Sequence, residues 1–193
     1  MRTAKIERKT KETDVLVEIN IDGTGECQID TGIGFLDHML HLMAFHGSFD
    51  LKVSCRGDLH VDDHHSVEDI GIAIGKAFYK ALADRKGIKR YSSLYIPMDE
   101  ALCLTVVDIS SRPYLVFIVD FKSGTLGSMC TQSFKEFFRA FAYNAGITLH
   151  INLLYGENDH HKIEAVFKAF AVALKEASQI VADNIPSSKG VLL

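Results

Sequence analysis

The sequence has no tryptophan and only three prolines and four cysteines in 193 residues. The cysteines, Cys27, Cys55, Cys103 and Cys130, form no CxxC pair. Neither a thiolate zinc site nor a disulfide framework is expected from them, and they read as scattered, reduced thiols of a cytosolic protein. No apolar run approaches the ~20 residues needed to span a bilayer. The opening MRTAKIERKTKETD is charged and has no apolar h-region, so no secretory signal is read there. Basic residues are not in excess. Twenty-one Lys and Arg face 25 Asp and Glu, for a net charge of −4. That balance argues against nucleic acid or an anionic membrane as partner. No Pro/Gly/Ser-rich linker divides the chain. What remains is ordinary globular material, 47% hydrophobic and 24% charged, long enough to bury a core without staples.

One stretch is not ordinary. HVDDHHSVED, at 60–69, holds three histidines and four acids in ten residues. GENDHHKIEA, at 156–165, repeats its centre. Asp63, His64, His65 and Glu68 reappear as Asp159, His160, His161 and Glu164, each moved by 96 positions.

The flanking patterns repeat as well. In the first half, 14–22 alternates as a strand, 34–47 has helical spacing stopped by Gly47, 48–55 alternates again, and 64–84 reads as a long helix. Gly71 and Gly75, four apart on that helix, suggest close packing against a neighbour. In the second half, 94–110 and 113–121 read as strands, 132–146 as a helix stopped by Gly146, 147–156 as a strand and 160–181 as a helix. The period of about a hundred residues is too long for a solenoid. The expectation is one α+β domain, residues 1–193, made of two βα pseudo-repeats, about 1–92 and 93–193. Their sheets should be antiparallel, with helices on one face. The tail IPSSKGVLL reads as loop, mobile unless something ties it down.

Each cluster opens a helix. Residues four apart share a helix face, so His64 and Glu68 can grip one cation, and so can His160 and Glu164. His65 and His161 are turned about 100° from their neighbours and must point to other partners. The economical solution is two metals and two helices, each helix giving a His/Glu pair to one ion and its second His to the other. His38, His46 and His150 are further candidates. Glu136 holds the place in the second half that His38 holds in the first, at an offset of 98. Imidazole and carboxylate without thiolate suit manganese, iron or zinc, manganese being favoured if the coordination is octahedral with open positions. Asp63 and Asp159 are expected as N-caps. Histidine is disfavoured at that end by the helix dipole, which strengthens the metal reading. His41 and His60 have no counterpart in the duplicate and are read as structural.

GFLDHML…FHG, GDLHVDDHHSVEDIGIAIGKA, YIPMDEAL, GENDHHKIEAVFKAFAVAL and IPSSKG together resemble the imidazoleglycerol-phosphate dehydratase family over nearly the whole chain. The resemblance implies a duplicated fold like domain 2 of ribosomal protein S5, and removal of water from imidazole glycerol phosphate in histidine biosynthesis. It further implies a cytoplasmic homo-oligomer of 24 subunits built from trimers, with two manganese ions per subunit at subunit interfaces. By position, one manganese falls to His38, His65, His160 and Glu164. The other falls to His64, Glu68, His161 and residue 136, where many family members carry His and this chain carries Glu136.

The resemblance also implies a mechanism. The substrate ring, bound to metal as an imidazolate, expels the hydroxyl through a diazafulvene-like intermediate, and the enol becomes imidazole acetol phosphate. Glu12 and His46 are implied as the proton-transfer residues. Glu12 rests on the resemblance alone, being otherwise an exposed acid at a strand start, whereas His46 lies beside His38. Arg90, Arg112, Lys168, Ser187, Ser188 and Lys189 match substrate-binding positions, alongside Glu12, His38, His46, His64, Glu68 and His160. Lys168 is one helical turn beyond Glu164, on the metal-facing side, and the PSSKG tail is implied as a flap over the phosphate. Two rivals account for the same clusters: a dinuclear metallohydrolase such as a phosphatase, and a protein whose metals are purely architectural.

Overall fold

The computed structural model describes residues 1–190 and 192. The first half runs β1 (Thr3–Lys9), β2 (Thr13–Asn20), β3 (Cys27–Asp30), α1 (Gly34–Gly47), β4 (Asp50–Gly57) and α2 (His64–Ala81). Its sheet has the order β1-β2-β4-β3. The second half runs β5 (Tyr91–Met98), β6 (Ala101–Asp108), β7 (Tyr114–Ile118), a short hairpin β8 (Thr125–Leu126) and β9 (Met129–Cys130), α3 (Gln132–Ala145), β10 (Thr148–Tyr155) and α4 (Asp159–Ser178). Its sheet has the order β5-β6-β10-β7. The topology is therefore the same twice, in an α+β fold. Each sheet is mixed rather than wholly antiparallel, because β3 lies parallel to β4 and β7 parallel to β10. The boundary expected near 92/93 falls at the start of β5.

The offset between halves changes along the chain. It is 88 for β2 against β6 (13 to 101), 98 for α1 against α3 (34 to 132), and 96 for His64 against His160. The gain is absorbed before α3, where the β8–β9 hairpin has no counterpart in the first half.

Strand alternation sets the layers. Val15, Val17 and Ile19 of β2 face inward, as do Ala101, Cys103 and Val107 of β6. Helices cover that inner face: α2 packs on β1 and β2, and α4 on β5 and β6. The halves then meet helix to helix, α2 on α3 and α1 on α4. Gly71 and Gly75 make the first of these contacts possible. A Cβ on Gly71 would stand 2.7 Å from the Phe137 carbonyl oxygen, and one on Gly75 2.7 Å from that of Phe141. Phenylalanines fill the middle. Phe134, Phe137, Phe138, Phe141, Phe167 and Phe170 are fully buried and meet at ring separations of about 5–6.5 Å, mostly edge-on or tilted, as aromatic quadrupoles favour.

Several local expectations change. The left-handed residue that ends α1 is Ser48 (φ 50), the counterpart of Gly146 (φ 65), which ends α3. Gly47 is instead the last helical residue, needed small because a Cβ there would strike the Phe49 ring. Asp63 and Asp159 do not cap through their side chains. Asp62 accepts the His64 N–H at 2.9 Å, and Asn158 accepts that of His160 at 2.9 Å. Asp63 and Asp159 are buried ties. Asp63 accepts from Cys130 N and Ser133 Oγ, and Asp159 from the amides of Lys122 and Ser123 and from Lys162 Nζ. Both therefore fix the start of a ligand-bearing helix against the α3-side segment.

The tail is tied down. Ile180 bridges Ile88, and Gly87 N–H donates to the Asn184 carbonyl. Arg90 Nη1 donates to the Pro186 carbonyl at 2.8 Å, and Arg85 and Ser111 donate to the Leu192 carbonyl.

Candidate active site

Each interface between helices of opposite halves carries one cluster. On the α1–α4 pair, His38 Nε2 lies 3.1 Å and His160 Nε2 3.0 Å from Glu164 Oε1. Ligand atoms of these three residues all lie within 4.8 Å of one another. The i,i+4 spacing places His160 over Glu164, while His38 comes from a helix 126 residues away in sequence. Two imidazole nitrogens and a carboxylate converging in this way are a donor set that fits a divalent cation of borderline character. Phe35 backs the cluster, its ring 5.1 Å from that of His160.

Glu164 is buried, which raises a carboxyl pKa. Hydrogen bonds from Lys168, His38 and His160 outweigh burial and hold it at about 2. Lys168 Nζ reaches Glu164 Oε2 at 2.6 Å, as its one-turn spacing predicts. His46, at the end of α1, is held below its ordinary pKa by burial and then by the charge of Lys168. His46 thus belongs to the Glu164–Lys168 neighbourhood.

The α2–α3 pair carries the duplicate. His64 Nε2 lies 3.9 Å from Glu68 Oε2. Arg139 joins Glu68 (3.0 Å, Nη2 to Oε1) to Glu136 (2.7 Å, Nε to Oε2). The duplication therefore maps His38, His160 and Glu164 onto Glu136, His64 and Glu68.

His65 and His161 point elsewhere, as their rotation on the helix predicts. His65 Nδ1 pairs with Asp58 Oδ2 at 3.0 Å, and His161 Nδ1 with Glu100 Oε2 at 2.7 Å. Each carboxylate raises its histidine's pKa by that hydrogen bond. With Nδ1–H donated to a carboxylate, Nε2 is left to face outward, the arrangement in which a second carboxylate orients a metal-binding imidazole. Glu100 itself is held at about 2, first by the Asn158 amide and then by His161. Glu12 Oε1 lies 4.0 Å from His65 Nε2. Asp58, just after β4, and Glu100, in the β5–β6 turn, carry no local signal in the sequence and gain meaning only through the tertiary contact.

The phosphate-binding candidates divide into two groups. Arg90, buried, and Arg112, exposed, both pair with Asp108 (2.8 and 3.5 Å), and Arg90 also holds Pro186 of the tail. Ser187, Ser188 and Lys189 follow directly, with Ser187 Oγ accepting from Lys189 N. Lys168 contacts Met98 Sδ at 3.1 Å, at the far end of β5. The length of β5 separates the two groups, roughly 23 Å at ~3.3 Å per residue. His150 lies exposed on β10, apart from both clusters, and His41 pairs with Cys27 Sγ.

The model of the imidazoleglycerol-phosphate dehydratase family matches residues 31–174. The imidazoleglycerol-phosphate dehydratase of Clostridioides difficile is 69% identical over 192 residues, covering all of both chains. That of Caldicellulosiruptor saccharolyticus is 58% identical over 191 residues, covering 99% of this chain and 98% of the relative. The crystal structure of the Staphylococcus aureus enzyme superposes with a TM-score of 0.83 at 43% identity, covering 93% of this chain and 99% of that one. The crystal structure of IGPD from Pyrococcus furiosus gives 0.85 at 38% identity, covering 97% and 100%. The chain belongs to the imidazoleglycerol-phosphate dehydratase family, hydro-lyases of histidine biosynthesis.

Proposed function

We propose that the chain dehydrates imidazole glycerol phosphate to imidazole acetol phosphate at a manganese site that copies of the chain build together. The observation that carries this reading is the convergence of His38, His160 and Glu164 on one small volume. Its duplicate, with His64, Glu68 and Glu136, stands on the other helix pair. His65 and His161 find no place in either cluster of their own chain, and a neighbouring copy would complete both sets. His38, His160 and Glu164 with a neighbour's His65 would hold one ion. His64, Glu68 and Glu136 with a neighbour's His161 would hold the other. Manganese suits imidazole and carboxylate donors without thiolate. Such an ion supplies a Lewis acid that polarises bound nitrogen or oxygen.

The chain's own residues then bind, orient and move protons. His46, whose pKa is lowered by burial and Lys168, is neutral near pH 7 and able to accept a proton. Glu12, exposed beside His65, is the second proton carrier. The hydroxyl on the ring-bearing carbon leaves as water, the next carbon gives up its C–H proton, and the resulting enol becomes the ketone. Lys168 supplies one cation for the phosphate. Arg90, Arg112, Ser187, Ser188 and Lys189 supply the rest from another copy, since a strand's length parts them from Lys168 in one chain. Arginine suits phosphate through its planar fork. The docked tail supports a pre-formed wall for the phosphate rather than a free flap.

Self-assembly has a second support, in the outer face of the second sheet. The outer face of the first sheet is charged, with Lys5 opposite Glu18 and Glu18 opposite Lys52. The second presents Tyr95, Pro97, Leu102, Leu104 and Val106 on the paired strands β5 and β6, with His150 and Asn152 beside them on β10. A contiguous apolar face of this kind is typical of a surface buried between subunits. Residues 1–193 act as one domain, because helices of each half pack on the other. The assembly is the 24-subunit particle built from trimers. Among the described residues no helix is long and apolar enough to cross a membrane, and we place the enzyme in the cytoplasm with its four free thiols.

The test is turnover of imidazole glycerol phosphate by metal-stripped protein with manganese added back, following ketone and free phosphate together. Manganese-dependent ketone with phosphate retained supports the reading. Released phosphate would favour the hydrolase, and metal-bound protein without product the architectural role.

A further inference from the structure

The two half-sites differ in how a positive side chain meets their carboxylates. In the α1–α4 cluster, Lys168 binds the outer oxygen of Glu164, Oε2, and leaves Oε1 to His38 and His160. The donor set stays open. In the α2–α3 cluster, Arg139 binds both carboxylates at once, Glu68 through Oε1 and Glu136 through Oε2. The cation there stands between the donors.

The duplication shows that the two cations are not copies of one another. The α2 residue in the place of Lys168 is Ile72, which carries no charge. The α1 residue in the place of Arg139 is His41, which turns to Cys27. Lys168 stands on the helix that carries its own His/Glu pair, whereas Arg139 stands on the helix facing His64 and Glu68.

We propose that Arg139 is an internal counter-ion that occupies the second metal position and makes it the weaker of the two. The proposal rests on the metal reading above. Glu68 keeps Oε2 toward His64, but Arg139 ties its other oxygen to Glu136, and a positive charge held between the two carboxylates repels an incoming dication. The Arg139 side chain is half exposed, so it has solvent to swing into and the pairs it leaves are weak ones. Lys168 bridges no second carboxylate, because its cluster has only Glu164 and the oxygen it holds is not the one shared by the two histidines.

The experiment is a manganese titration of metal-stripped wild type, R139Q and R139K, with free Mn2+ read by electron paramagnetic resonance and folding checked by thermal unfolding. Wild type should show two classes of site. R139Q should tighten the weaker class by about tenfold, the order expected from removing two exposed pairs, and leave the tighter class unmoved. R139K keeps the charge without the fork that spans two carboxylates, and should fall between. Equal or weaker binding at the second class in both variants, with wild type normal, overturns the proposal alone. Wild type that binds no manganese overturns the metal reading and the proposal together.

Discussion

Glu12 and Glu100 are equivalent residues, 88 positions apart in matching β-turns, yet they meet the second histidine of their halves differently. Glu100 accepts from His161 Nδ1 at 2.7 Å, whereas Glu12 lies 4.0 Å from Nε2 of His65. The reason is Asp58, which follows β4 and takes His65 Nδ1 itself. After β10 the corresponding residue is Gly156, where a Cβ would stand 2.9 Å from that of Ala101 and 2.8 Å from Lys162 Cγ. No side chain fits there, and Glu100 does the orienting instead. Asp58 therefore leaves Glu12 free.

Asp58→Ala should let His65 turn and draw Glu12 onto it. Orienting carboxylates of this kind typically change metal affinity or activity about 10–100-fold. We expect a loss of that order in manganese affinity, and a fall in kcat that saturating manganese does not restore. Full recovery of kcat with excess metal would show that Glu12 needs no such release.

The charge of Glu164 makes the metal-free protein acid-sensitive. In the folded chain its carboxyl is held at about 2, below the ordinary value of 4.5. Its contribution is therefore complete above about pH 4.5 and is lost as pH falls toward 2. Denaturant melts of wild type and Glu164→Gln should differ at pH 7 and converge by pH 2. A gap that stays constant across that range would mean that the hydrogen bonds to Lys168, His38 and His160 do not hold the carboxylate.

Gly71 tests the packing that joins the halves. Alanine gains about 1 kcal/mol of helix propensity over glycine. At Gly71, however, its Cβ would meet the Phe137 carbonyl at 2.7 Å, and overpacking of this kind costs ~1–3 kcal/mol. Gly71→Ala should lower the urea midpoint, and a raised midpoint would show that α2 and α3 part without cost.

The features legible in the sequence are those whose meaning is local. The DHHxxE motifs mark two helix starts because i,i+4 spacing fixes which residues share a face, and Gly71 and Gly75 mark a close contact because nothing else explains two glycines in a helix. Less local features were hidden. β1 was not visible, because its inward position 8 is Arg8, which reaches the buried Asp69 at 2.7 Å and breaks the alternation. The loop-like tail gives no sign that backbone carbonyls at 186 and 192 are held by Arg90 and Arg85. Arg139 looks like any surface arginine until α2 and α3 are side by side.

On the proposed function, no single chain holds a whole site. Co-expression of two differently tagged variants tests it, His160→Ala against His65→Ala, with mixed particles purified through both tags. Each variant alone should be inactive. In the mixture, some sites pair the intact α1–α4 set of one variant with the intact His65 of the other, and about a quarter of wild-type turnover should return for equal, random assembly. Mixed particles as inactive as their parents would show that each chain supplies its own site.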